Sequence, residues 1–157
     1  MIKVNDKIPQ SELQQLVDGS ATSHSTSDLF SGKKVVLFAV PGAFTPTCSA
    51  AHLPGFVVNA DNIKAKGVDS IICLSVNDAF VMNAWGEAQN ANEIMMLADG
   101  DGSFTKALGL GKETGSFGGF RSVRYAMIVE DGVVTSLQVE QPKEFKVSSA
   151  ESILELL

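Results

Sequence analysis

KKVVLFAVPGAFTPTCSAAHLPGF, Lys33 to Phe56, joins a strand, a loop and the start of a helix. Lys33 and Lys34 lead into an uninterrupted apolar run, Val35 to Val40, as expected of a strand buried on both faces. From about Thr47 the pattern turns helical and continues to Lys66-Gly67, where Gly67 is a plausible stop. Pro54 lies inside that helix and is expected to bend it. In α/β sheets ligands gather beyond the carboxyl ends of the strands, and Cys48 falls there, in the first helical turn. Unpaired backbone N–H groups and the helix dipole favour an anion at that point. A thiol so placed is expected to be acidified and reactive, whereas an inert buried cysteine would not call for a proline-rich loop.

Working outward, the segment Gly19 to Asp28 is polar and reads as a loop. Val68 to Val76 is a second solid strand, and Asn77 is placed to cap a helix from Asp78 to about Gln89. Ile94 to Ala98 reads as a short strand, Ser103 to Leu108 as a short helix, and the following glycine-rich stretch as loop. VRYAMIVEDGVVTSLQVE forms a hairpin turning at Asp131-Gly132. A final helix, Ala150 to Leu157, follows Ser148 and Ser149, with Ser148 and Glu151 spaced as a capping box. The order β-loop-α-β-α-β-α-β-β-α indicates an α/β fold with a mixed central sheet flanked by helices. It resembles a thioredoxin-like fold with an N-terminal extension.

The 157 residues suit a single domain large enough to bury a core without disulfides or structural metal. Twelve Lys and Arg against 18 Asp and Glu give a net charge of −6, which argues against nucleic-acid binding. No apolar stretch is long enough to cross a bilayer, and MIKVNDKIPQ does not read as a secretory signal; a cytoplasmic location is the default expectation. Two cysteines in a reducing compartment are expected to be thiols. Two scattered histidines and two cysteines make a zinc site improbable. DGDGS, Asp99 to Ser103, fails as a calcium loop because Leu110 stands at the twelfth position. GLGKETG fails as a dinucleotide fingerprint on spacing, and Glu113 after Lys112 defeats a phosphate-loop reading. No cofactor is expected.

Pro41, Thr45 and Cys48 form P-x-x-x-T-x-x-C. The prolines stiffen the loop by fixing φ. Thr45, three residues before Cys48, can bring its hydroxyl beside the sulfur, and its presence removes the partner of a Cys-x-x-Cys disulfide. VPGAFTPTCSAAHLPGF resembles the active-site loop of the peroxiredoxins, close to the Prx5 branch that includes the plant type II enzymes. KGVDSIICLSVNDAFVMNAW, LADGDGSFTKALGL and RSVRYAMIVEDG resemble the same branch in the same order, so the similarity covers nearly the whole chain.

The resemblance implies a thiol peroxidase acting on hydrogen peroxide and organic hydroperoxides through Cys48, which would cycle through a sulfenic acid. It implies that Thr45 and the Cys48 backbone N–H orient the peroxide, that Pro41 shapes the loop, and that Arg124 is the active-site arginine, with Arg121 close by. Phe44, Phe117 and Phe120 could line an apolar mouth or pack at a subunit contact. His52 shares the helix face of Cys48 and could form a Cys–His pair, although a locally hydrogen-bonded histidine is favoured. Cys73 is the only internal resolving candidate, but its strand is apolar throughout, where a thiol is normally inert. A one-cysteine cycle is therefore expected, with glutathione and glutaredoxin as reductants and thioredoxin second; a homodimer is implied as well. Two competing readings are a thioredoxin-like binding module without redox activity and a cysteine hydrolase using Cys48 and His52.

Overall fold

The computed structural model describes residues 1–157. The apolar run after Lys33 is a strand at the middle of the sheet, and its residues alternate between two cores. Val36 and Phe38 face one cluster with Cys48, Phe56, Cys73 and Trp85. Val35, Leu37 and Ala39 face the other with Ile72, Leu74, Tyr125 and Met127. Burial on both faces is why no polar residue interrupts the run.

The strands are β1 (Glu12–Val17), β2 (Ser20–Ser25), β3 (Lys34–Ala39), β4 (Ser70–Ser75), β5 (Met95–Ala98), β6 (Gly111–Glu113), β7 (Phe120–Ser122), β8 (Tyr125–Glu130) and β9 (Val133–Val139). The helices are α1 (Thr26–Phe30), α2 (Leu53–Lys64), α3 (Ala79–Ala88), α4 (Ser103–Leu108) and α5 (Ala150–Leu154). Seven strands form one mixed sheet in the order β2-β1-β5-β4-β3-β8-β9. The β3, β4 and β5 ladders are parallel, while β8 runs antiparallel to β3 and β1 antiparallel to β5. Leu53, Phe56, Met82, Trp85 and Ile153 place α2, α3 and α5 on the Cys48 face. Leu29, Phe30, Phe104 and Leu108 place α1 and α4 on the other. This is the mixed, helix-flanked sheet expected from the order of elements.

Several local expectations are corrected. The polar segment Gly19 to Asp28 is β2 and the start of α1 rather than a loop. Asp18 (φ 50) and Gly19 (φ 81) make a two-residue turn joining β1 to β2, the same Asp-Gly chemistry that turns β8 into β9 at Asp131 and Gly132. Its Ser and Thr side chains suit an edge strand facing water. The glycine-rich stretch holds a small hairpin, β6 with β7.

The cap of α3 is Asp78, which accepts from Val81 N–H at 2.8 Å, not Asn77. The cap of α5 is Ser149, accepting from Ser152 N–H at 3.1 Å; the Ser148–Glu151 box does not form. Pro54 stands at the start of α2, directly after a turn that is already helical, so its ring has no N–H to give to the carbonyl of that turn. The irregularity lies one turn earlier, as a π-helical turn over Cys48–His52 in which Leu53 N–H reaches back to Cys48 O.

Candidate active site

The loop between β3 and the π-helical turn is held from two sides. Asn77 Oδ1 accepts from Ala43 N–H at 3.0 Å and from Ser75 Oγ at 2.6 Å. Arg121 donates from Nη1 to Val76 O and from Nε to Gly118 O, both at 2.9 Å, which ties the β6–β7 hairpin to the end of β4. Within the loop, Phe44 takes a left-handed φ of 63, a conformation uncommon for a residue with a Cβ. Thr45 Oγ1 donates to Gly42 O at 2.6 Å. With its proton so engaged, the Thr45 oxygen has only lone pairs left to offer and can act as an acceptor. Ser49 N–H bonds to Thr45 O at 2.9 Å; the amides of Thr47 and Cys48 precede that first helical bond and lack an intrahelical acceptor.

Arg124, between β7 and β8, reaches across the sheet to this turn. Its Nη2 donates to Cys48 Sγ at 3.1 Å, and its Nη1 donates to His52 Nδ1 at 2.8 Å. His52 Nε2 then lies 2.9 Å from Ser148 O. A carbonyl oxygen accepts and a guanidinium donates, so the proton of His52 is on Nε2 and the ring is neutral. Burial, and then the Arg124 charge, push the His52 pKa down to about 3. Its nitrogens are both engaged, neither with the sulfur. That geometry removes the hydrolase arrangement, in which histidine would take the thiol proton directly, and shows a hydrogen bond reaching a residue 96 positions away rather than a local one.

Cys48 itself is fully buried. A cavity of about 360 Å³ is lined by Pro41, Thr47, Val123, Arg124, Gln141 and Phe145, among others; neither Cys48 nor Thr45 lines it, and Arg124, which touches the sulfur, is the link between the two. Of the three phenylalanines, none lines this cavity. Phe44 and Phe117 are 56% and 76% exposed. Phe120 packs over Gly111 and Gly102, with the Lys106 ammonium 4.9 Å from its ring centre. Cys73 pairs in register with Phe38 and shares the apolar cluster of Cys48. Burial pushes the Cys73 thiol well above its ordinary range; the Cys48 charge adds to this and Arg124 opposes it.

Several residues at this site carry no sequence motif. Glu140 and Ser148 stand beside His52, Asn77 holds the loop, and Trp85 donates from Nε1 to Ser49 Oγ at 3.0 Å. Trp85 lies 36 residues from its partner and Asn77 34 from Ala43, separations that local patterning does not reach. The assembled groups present a fixed cation and unpaired amides to one sulfur, the arrangement that stabilises a thiolate and the charge developing as an O–O bond breaks.

Comparison with known proteins agrees with this geometry. The Redoxin family matches residues 3–154. Peroxiredoxin-2E, chloroplastic, of Arabidopsis thaliana is 49% identical over 99% of this chain and 69% of its own length. The crystal structure of reduced Prx3 from Vibrio vulnificus in complex with hydrogen peroxide is 64% identical, with a TM-score of 0.98 over 99% of both chains. Peroxiredoxin 5 from Alvinella pompejana is 37% identical, with a TM-score of 0.87 over 99% of this chain and 97% of that one. The chain belongs to the Redoxin family as a peroxiredoxin, a thiol peroxidase with Prx5-type proteins among its relatives.

Proposed function

We propose that this protein reduces hydrogen peroxide and organic hydroperoxides in a one-cysteine cycle centred on Cys48. The single observation that carries the reading is the Arg124 Nη2–Cys48 Sγ contact of 3.1 Å. The Cys48 thiolate attacks the terminal peroxide oxygen; an S–O bond forms and the O–O bond breaks. Sulfur loses two electrons, the peroxide gains them, and the leaving oxygen takes a proton to depart as water or alcohol. Thr45 accepts from the peroxide O–H, and the Cys48 amide and Arg124 donate along the reacting axis. Pro41 walls the cavity through which a small peroxide approaches. The hydrogen peroxide named in the complex of the Vibrio vulnificus relative supports this substrate.

The sulfenic acid then condenses with an external thiol, releasing water, and a second thiol displaces the mixed disulfide to restore Cys48. Glutathione with glutaredoxin is the proposed reductant, ahead of thioredoxin. The burial of Cys73 and its raised pKa disfavour it as the internal partner. A homodimer is part of the reading, supported by the exposed rings of Phe44, Phe80 and Phe117; sedimentation of the reduced protein as a monomer would remove it. Mass spectrometry after one equivalent of hydrogen peroxide, with and without glutathione, tests the cycle. Sulfenate on Cys48 alone and a glutathione adduct on addition of the thiol are expected, and an unmodified Cys48 would overturn it.

A further inference from the structure

The segment between β9 and α5 closes on itself around one carboxylate. Glu140 Oε2 accepts from Val147 N–H at 2.9 Å, from Ser148 N–H at 2.8 Å and from Ser148 Oγ at 2.7 Å. Lys146 N–H reaches Oε1 at 2.9 Å and Oε2 at 2.8 Å. No cationic side chain pairs with Glu140; the Lys146 ammonium goes to Glu144 at 2.8 Å. Burial pushes the Glu140 carboxyl up, but the Ser148 hydroxyl and the amides of Lys146, Ser148 and Val147 outweigh it and hold it below the usual carboxylate range. The Glu140 backbone is joined to the arginine as well, its N–H donating to Arg124 O at 3.0 Å.

Two parts of the clasped segment press on the active site. Ser148 O receives the His52 Nε2 proton at 2.9 Å. The Phe145 ring lies 4.9 Å from the His52 ring and 5.9 Å from the Arg124 guanidinium carbon. The guanidinium has two side-chain hydrogen bonds, to Cys48 Sγ and His52 Nδ1. The first weakens when the sulfur is oxidised and loses its charge, which leaves His52 as the anchor.

We propose that Glu140 is a positioning residue for the peroxidase reaction: by clasping residues 146–148 it fixes the Ser148 carbonyl, and through His52 it holds the Arg124 guanidinium against Cys48. The proposal rests on the reading of Cys48 as the peroxide-reducing thiol. The chemistry explains why a neutral ring stands between carboxylate and arginine. A carboxylate bonded directly to Arg124 would form a bidentate pair and draw its charge away from the sulfur. Glu140 is satisfied by four backbone and hydroxyl donors instead, and the link it orders is uncharged. The full cation is left facing the thiolate, in a fixed direction.

The test compares the wild-type protein with Glu140→Gln, His52→Ala and the double variant, all as full chains. The rate of Cys48 oxidation by hydrogen peroxide is followed by chemical quench and mass spectrometry from pH 5 to 9, alongside the melting temperature. Glu140→Gln keeps the size of the side chain but turns an N–H₂ toward backbone donors. It should slow the reaction about tenfold at pH 7, since small misplacements at a reacting centre cost up to about 10²-fold. The pH of half-maximal rate should also rise, and the double variant should be no slower than the slower single variant, as for residues acting through one another. A Glu140→Gln protein with wild-type rate and pH profile would overturn the proposal even with a lowered melting temperature, because Glu140 would then be structural only. Effects that add in the double variant would overturn it too. If Glu140→Gln does not fold, Ser148→Ala removes one donor to the same carboxylate and keeps the carbonyl. A loss of about threefold is then expected, less than for Glu140→Gln because three of the four donors to the carboxylate remain, and no change in rate refutes the proposal. A wild-type protein whose Cys48 does not react would fail the peroxidase reading itself, together with this inference; a reactive wild type with an indifferent variant fails the Glu140 inference alone.

Discussion

Replacing Arg124 with alanine removes the one cation that touches Cys48. At 3.1 Å, a unit charge pair in a medium of effective dielectric about 20 attracts by about 5 kcal/mol. That figure is a ceiling. Water enters the vacated space, and the unpaired amides at the start of the turn remain. Hydrogen bonds to charged groups net about 1.5–3 kcal/mol, and removal of one preorganised transition-state donor costs about 2.7–4 kcal/mol. A loss of about 3 kcal/mol follows, a slowing of roughly 100-fold in the reaction with hydrogen peroxide. The assay is the second-order rate of Cys48 oxidation at pH 7 in a single turnover, which excludes effects on the reductant. Arg124→Lys should fall between the two, because an ammonium lacks the planar fork that reaches Cys48 and His52 together. An Arg124→Ala rate within threefold of wild type, in a folded protein, would refute the reasoning.

Cys73→Ser should keep turnover with an external thiol, while a chain in which Cys73 resolves the sulfenate would lose it; steady-state peroxide consumption decides. His52 is buried and neutral with a pKa pushed to about 3, below its unfolded value of 6.5. Its contribution to stability is therefore complete above pH 6.5 and is lost as pH falls toward 3, at up to about 1.4 kcal/mol per pH unit. Urea unfolding of wild type and His52→Ala between pH 7 and 4 measures this, and parallel pH profiles would contradict it. The Tyr125 hydroxyl is buried with no hydrogen-bond partner, near the Asp99 charge that, after burial, raises its pKa. Tyr125→Phe should raise stability by about 1 kcal/mol, and a loss of 1 kcal/mol or more in urea unfolding would show that the hydroxyl has a partner after all.

How far the site was legible from residues differs from group to group. The strand Val35–Val40, the thiol at the helix start and the Asp131-Gly132 turn follow from local rules: a run buried on two faces, a helix terminus, a two-residue turn needing positive φ. The Asp18-Gly19 turn obeys the same rule, and the polar strand after it was masked because an edge strand has no apolar alternation to announce it. Asn77 and Ser148 have good capping chemistry, yet each is used for a longer-range bond, and the neighbouring Asp78 and Ser149 cap the helices. The composition of a capping site does not say which of two adjacent polar residues turns inward.

The sequence by itself determined the order of the larger elements from β3 to α5, though not β1, β2, α1 or the β6–β7 hairpin, together with the two-faced burial of the central strands and the placement of one thiol among unpaired amides, because each depends on residues within a turn or a strand of one another. The tertiary structure decided which arginine meets the sulfur, that His52 is neutral and turned away from it, and that Glu140 closes the segment behind them. The first two depend on groups 72 to 96 residues apart meeting within 3.1 Å, and only packing of β8 and α5 against the π-helical turn brings them there; Glu140 finds its donors six to eight residues away, in a segment with no regular structure to announce them. Hydrogen-bond energy falls away within an ångström of the right distance, so chemistry of this kind is set by where the sheet delivers each side chain.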